Sequence, residues 1–207
     1  ISYTGDADRS SVDRALGSLA QELETAGRRP YVIPRGGASA LGCVGYVLAS
    51  LELVAQLSEM GVSPTHLVVA TGSCGTQAGL EVGAAWLQAG YRVLGVTVSR
   101  PRAECLRRIP DLARACADLL ELDAGSFDDV EVVDGYIGAG YGKPSPEGSA
   151  ATELVARTEG LVLDPVFGAK AMAALRAMAN GIGPGPVVFL HTGGAPAAFV
   201  TAPSVEA

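Results

Sequence analysis

A chain of 207 residues, 48% hydrophobic and 18% charged, can bury a full core, so it reads as a globular protein of one large or two small domains. The formal net charge of -7 offers no basic surface to a phosphate backbone, and no apolar run of about 18 residues reads as a membrane span, which argues against nucleic acid and membrane as partners. Cys43, Cys74, Cys105 and Cys116 show neither CxxC nor Cys/His zinc spacing, so they read as free thiols of a reducing cytoplasm and no metal site is expected.

The chain begins at Ile1 with neither an initiator Met nor a charged-then-apolar leader, and is expected to be a processed product or one piece of a longer polypeptide. In chain order, 31–34 reads as a short buried strand, 40–60 as a helix, 67–70 as a strand, 76–90 as a helix and 92–98 as a strand. A helix over 101–121 follows. The segment 123–142 is the least regular, and its glycine-rich end, DGYIGAGYG at 134–142, reads as a loop. A helix over 146–159 is marked by Ser145 as cap and Pro146 in the first helical position. A strand at 161–163, a helix at 168–179 and a strand at 187–190 complete the pattern. Alternation of this kind predicts an α/β fold with a mostly parallel sheet and helices on both faces.

Ligands of such sheets sit beyond the carboxyl ends of the strands, so the loops there carry the search for a site. The stretch LVVATGSCGTQAGL at 67–80 is one of them. Its turn, Gly72, Ser73, Cys74, Gly75 and Thr76, feeds a helix and aims main-chain N–H groups at one point beside the positive end of the helix dipole, an arrangement suited to phosphate. A plain strand-to-helix turn with Thr76 as cap fits the spacing equally well. GxGxxG is met neither here nor at Gly138 and Gly140; Gly142-Lys143 is followed by Pro144 and makes no P-loop; and Thr71 spoils the GxSxG elbow. Lys170, one of two lysines, reads as a solvating or pairing residue at a helix start, and His66 and His191 have no companion that points to a triad.

Four segments in this order, PRGGASALGCVGY at 34–46, ATGSCGTQAG at 70–79, EGLVLDPVFGAK at 159–170 and HTGGAP at 191–196, resemble the D-cysteine desulfhydrase and 1-aminocyclopropane-1-carboxylate deaminase family. These are pyridoxal phosphate (PLP) enzymes of the tryptophan synthase β fold, fold type II. The resemblance implies that the turn from Gly72 to Thr76 is the cofactor phosphate loop, that Thr192 faces the pyridine nitrogen, and that Tyr141 orients the substrate or passes a proton. It also places Phe167 and Gly168 in the substrate pocket, where the deaminases carry a Tyr-Glu pair. A neutral hydroxyl at the ring nitrogen makes a weaker electron sink than a carboxylate would, which favours β-elimination over ring opening.

The family's Schiff-base lysine belongs to an N-terminal part with no counterpart in this chain. The resemblance therefore implies that residues 1–207 are the large PLP-binding domain, a C-terminal portion whose fold is incomplete without that part. The implied function is that of a subunit or fragment of a lyase acting on a small D-cysteine-like amino acid, with the lysine on a second chain and the complete unit a dimer in the cytoplasm. Two alternatives stand beside it: a catalytically inactive PLP-like binding or regulatory module, and a β-replacement or cysteate-type lyase.

Overall fold

The structure, a computed structural model, describes residues 9–194 and Ala197. Its elements run α1 (Arg9–Thr25), a single 3-10 turn (Arg35–Gly37), α2 (Ala40–Met60), β1 (His66–Thr71), α3 (Gly75–Trp86), β2 (Arg92–Thr97), α4 (Arg102–Leu119), β3 (Glu131–Val133), α5 (Pro146–Glu159), α6 (Gly168–Met178) and β4 (Val187–Leu190). The four strands form one sheet in the order β3-β2-β1-β4, and every pairing is parallel. Alternate residues of β1 serve opposite layers, as a pleated strand requires. Leu67 and Val69 pack with Leu57 of α2 and Leu80 of α3, whereas Val68 and Ala70 pack with Ala171 and Ala174 of α6. Helices thus cover both faces, and the expected fold class holds.

The α2–α3 contact is close, and glycine makes it possible. Gly75, Gly79 and Gly83 recur every fourth residue along one face of α3. A Cβ on Gly79 would lie 2.3 Å from the carbonyl oxygen of Cys43, and one on Gly83 2.4 Å from Ser50 Cβ. All four cysteines are free, buried and gathered in the layer formed by α2, α3 and α4, where they act as small apolar side chains. Gly61, in the left-handed conformation at φ 64°, closes α2, and the Ser145 hydroxyl accepts the Gly148 N–H at the start of α5, the expected cap.

Several expectations need correction. Residues 31–34 and 161–163 have the composition of strands but join no ladder among the described residues; Tyr31, Val32, Ile33, Leu161 and Val162 are exposed. Apolar β-branched runs report a tendency to pair and do not supply the partner. Conversely, the irregular segment 123–142 contains β3, three residues at the sheet edge. Side chains hold it as much as the ladder does: Gln77 Nε2 donates to the Glu131 carbonyl at 2.9 Å, and Arg102 Nε to that of Val132 at 2.7 Å. Gln77 reaches across β2 because Gly95 leaves the way open, a Cβ there falling 1.8 Å from Gln77 Oε1. Helix α1 escapes the sequence pattern because its surface is mostly polar and exposed; the Arg35 guanidinium docks it through two hydrogen bonds to Asp13, at 2.9 and 2.8 Å. Among the described residues, α2 is long and apolar enough by length and composition to cross a membrane, a feature the search for an unbroken apolar run misses because Gly, Ser and Glu interrupt it. Here α2 packs Cys43, Val47, Ser50 and Leu57 inward.

Candidate active site

Thr71 ends β1 and Gly75 begins α3, leaving three residues to reverse the chain. Cys74 occupies the left-handed region at φ 79°, which a non-glycine residue enters only under constraint. The consequence is a cup. The N–H groups of Ser73, Cys74, Gly75 and Thr76 have no hydrogen-bond partner among the described residues, the usual state of a helix start that waits for an acceptor. Thr76 does not cap the helix, which removes the plain capped turn: Cys74 holds that position without a side-chain hydrogen bond. The Cys74 thiol points into the helical layer and away from the opening, kept protonated by its hydrogen bond with Cys105 and by burial. Only its main chain can serve a ligand.

Two arginines to which the sequence reading gave no role border the cup. Arg100, buried just after β2, donates from Nε to the Gly72 carbonyl at 3.0 Å and pairs with Glu104. The Thr97 hydroxyl donates to the Arg100 carbonyl at 2.5 Å and fixes that turn. Arg35, in the 3-10 turn, stands on the other side, and its neighbour Gly36 lies so close that a Cβ would come within 2.6 Å of Ser73 Cβ. Arg35, Gly36, Gly72, Ser73, Ser99, Arg100, Tyr141 and Phe167 line one cleft of about 450 Å³. Helix dipole, free N–H groups and a buried guanidinium make its inner end electropositive. Applying the carboxyl-end rule to β2 as well as β1 would have drawn attention to Ser99 and Arg100 from sequence.

The outer wall consists of side chains. The Tyr141 and Phe167 rings meet edge to face, with centroids 5.9 Å apart at 66°. Phe167 and Gly168 are placed by Asp164, fully buried, whose Oδ2 accepts the N–H groups of Val166 and Phe167 at 2.9 and 2.7 Å and whose Oδ1 accepts that of Gly168 at 2.7 Å. Tyr141 projects from the glycine-rich loop. Lys170, expected to solvate or pair at the surface, is instead completely buried; it donates to the carbonyls of Ile137 at 2.7 Å and Gly140 at 3.0 Å. Desolvation lowers its pKa and Asp164 partly restores it.

Thr192 follows β4 and is exposed. Leu190 pairs with Val69, so Thr192 lies level with Thr71 at the carboxyl edge of the sheet. It is beside the cup and does not line the 450 Å³ cleft. Its turn is fixed by His191, which bridges the Val162 carbonyl at Nε2, 3.2 Å, and accepts the Gly193 N–H at Nδ1, 3.1 Å. Ala195 and Pro196, the end of the fourth motif, lie outside the described residues. The structure therefore brings Gly72, Ser73, Tyr141 and Phe167 together, sets Cys74, Gly75 and Thr76 behind them, and puts Thr192 just past the end of the neighbouring strand.

A parallel sheet with an anion cup at the first strand-to-helix turn is the frame of a phosphate-bearing cofactor enzyme. Residues 2–193 match the family described as pyridoxal-phosphate dependent enzyme, and the chain belongs to it. PLP is that family's cofactor, and the orphaned donors of the cup fit its phosphate group. Over 194 residues the chain is 47% identical to a D-cysteine desulfhydrase of Klebsiella pneumoniae (strain 342), a match that covers 91% of this chain and 57% of that protein. A crystal structure of an ACC deaminase homologue superposes with TM-score 0.81 at 34% identity, over 92% of this chain and 57% of the other. A threonine deaminase of T.th. shares the fold at TM-score 0.53 and 22% identity, over 93% and 72%. The chain thus spans little more than half the length of the first two.

Proposed function

We propose that this chain is the cofactor-holding part of a cytoplasmic PLP-dependent carbon-sulfur lyase. The substrate is a small amino acid resembling D-cysteine, converted with water into pyruvate, ammonia and sulfide. A second polypeptide supplies the Schiff-base lysine, and the complete unit is a dimer. The observation that carries the reading is the cleft itself, with an electropositive cup at one end and Tyr141 and Phe167 at the other. The likeness to a D-cysteine desulfhydrase supports the substrate class.

When bound, PLP would supply an electron sink that eases loss of the substrate α-proton. The chain's own residues do the rest of what this half contributes. The N–H groups of Ser73, Cys74, Gly75 and Thr76 hold the phosphate, with the Ser73 and Thr76 hydroxyls as added donors. Arg100 keeps the Gly72 carbonyl turned from the cup and adds positive charge beside it. The Thr192 hydroxyl, level with Thr71 at the sheet edge, would serve the ring nitrogen without protonating it. Tyr141 offers its phenol to the substrate, either to orient it or to move a proton, and Phe167 keeps water from that side. Of the two lysines, Lys170 is buried with its ammonium committed to two carbonyls, and Lys143 is exposed at the end of the glycine-rich loop. Neither suits a Schiff base, which supports a lysine from a partner.

The reading is tested on the intact preparation by mass and by visible absorption. A second chain and a PLP band lost on borohydride treatment are expected. A single 207-residue species with no such band would overturn the enzyme and leave the inactive binding module. With the partner present, Thr76→Ala should weaken PLP retention about tenfold, on the order of 1.4 kcal/mol. Thr192→Ala should lower turnover more than retention. Equal, negligible effects of both would show the cofactor to be misplaced.

A further inference from the structure

A lysine with no accessible surface is costly to keep, because a charged ammonium loses its hydration and is compensated only where the surroundings supply acceptors. Lys170 is the largest of the fully buried side chains. A methionine or leucine would fill the same space on α6 without that cost, so packing alone does not account for it. Its Nζ finds two acceptors, and both come from one place: the carbonyls of Ile137 and Gly140.

Besides Lys170, that place is held by Tyr136, packed against the core of β1, β2 and α6, and by a long hydrogen bond from the Lys143 N–H to the Gly140 carbonyl at 3.3 Å. Gly135, Gly138, Gly140 and Gly142 all have positive φ, from 65° to 137°, so the loop runs without helix or ladder through four residues of high intrinsic freedom. The residue between the last two glycines is Tyr141. Its ring reaches Phe167, and Phe167 is itself fixed by the Asp164 carboxylate, which also faces Lys170 electrostatically. The start of α6 and the turn just before it therefore anchor both aromatic residues of the outer wall, Phe167 through Asp164 and Tyr141 through Lys170.

We propose that Lys170 is a positioning residue: its ammonium clamps the loop over 134–142 by two carbonyls and thereby holds Tyr141 against Phe167 at the mouth of the cleft. The clamp rests on the proposed function only in that Tyr141 acts on the substrate. It also separates Lys170 from Schiff-base chemistry, since an amine that held the cofactor would have to release both carbonyls and the loop with them.

With only two lysines in the chain, the first test needs no destabilised variant. The cofactor-free full chain is labelled with ¹⁵N at lysine Nζ, and the two ammonium signals are assigned with Lys143→Arg. Lys170 is expected to exchange its ammonium protons at least tenfold more slowly than Lys143; equal, fast exchange would overturn the clamp. In Lys170→Met, amide exchange by mass spectrometry is expected to rise at least tenfold over 134–142 while β1 and α3 stay within twofold. An unchanged loop, or an equal rise in β1, would overturn it. In the PLP-loaded enzyme with its partner, Lys170→Met and Tyr141→Phe are expected to lower kcat by similar factors, with the double variant no worse than either and PLP retention within twofold of the parent. Losses that multiply would show that Lys170 does not act through Tyr141. Should Tyr141→Phe alone leave turnover at the parent level, the role given to Tyr141 under the proposed function falls, and the two exchange measurements decide the clamp by themselves.

Discussion

The two ends of the cleft are built from different materials. The cup is main chain: its shape follows from a short turn between a buried strand and a helix, and α3 is seated by Gly79 and Gly83, which let α2 approach, and by Gly75, which lies against Ala38. The outer wall is irregular backbone secured by buried charge, Asp164 for Phe167 and Lys170 for the loop of Tyr141. The first end is rigid because it is packed, and a ligand meets it ready-made. The second is rigid only while its polar contacts are satisfied, so it is the end where a single side chain can loosen the site without unfolding the core.

Substitutions at each end should separate these two kinds of support. Gly79→Leu forces a side chain into the Cys43 carbonyl and the Tyr46 side chain, and is expected to cost about 3 kcal/mol by overpacking. A urea midpoint close to that of the parent would show that α2 can move aside and that the cup is not held by this joint. Asp164→Ala strands three N–H groups at the start of α6 and should cost about 2 kcal/mol. The loss should be local, with amide exchange rising over 164–170 before it rises in β1; uniform acceleration would mean that the outer wall is part of the core after all.

The smallest effect concerns the β3 edge, where side chains again hold the backbone. Burial raises the Glu81 pKa to about 7, opposed by the hydrogen bond from Gln77 and reinforced by Glu131. The carboxyl is thus easier to keep neutral in the folded chain than in the unfolded one, so its contribution is fully present below the unfolded value of 4.5 and is lost as pH rises through the folded value of about 7. Thermal unfolding of Glu81→Gln should accordingly match the parent at about pH 4, exceed it increasingly up to about pH 7 and hold a constant lead above that. A gap that is constant with pH over that whole range would assign Glu81 an ordinary exposed behaviour.

What the sequence made legible divides along the same line. The helices over 40–60, 146–159 and 168–178, the strands at the sheet centre and the cup at Gly72–Thr76 are all local: periodicity, caps and a strand-to-helix turn fix them within a few residues of chain. The outer wall depends on contacts between distant segments. Nothing around Lys170 shows that its partners lie some thirty residues earlier, and a lysine on a helix start ordinarily reaches water. The same reason accounts for β3, whose three residues are set by Gln77 and Arg102 from elsewhere, and for the two apolar runs that found no ladder. Arg100 was reachable from the topology once each strand end, rather than the glycine-rich one alone, was considered.

The central claim is that this chain holds the phosphate end of PLP while the lysine for its aldehyde lies on another polypeptide. Borohydride reduction of the PLP-loaded preparation, followed by digestion and mass mapping, tests it most directly. The account predicts a pyridoxyl label on a lysine of the partner chain and none on Lys143 or Lys170. A label on either of those two lysines would contradict it.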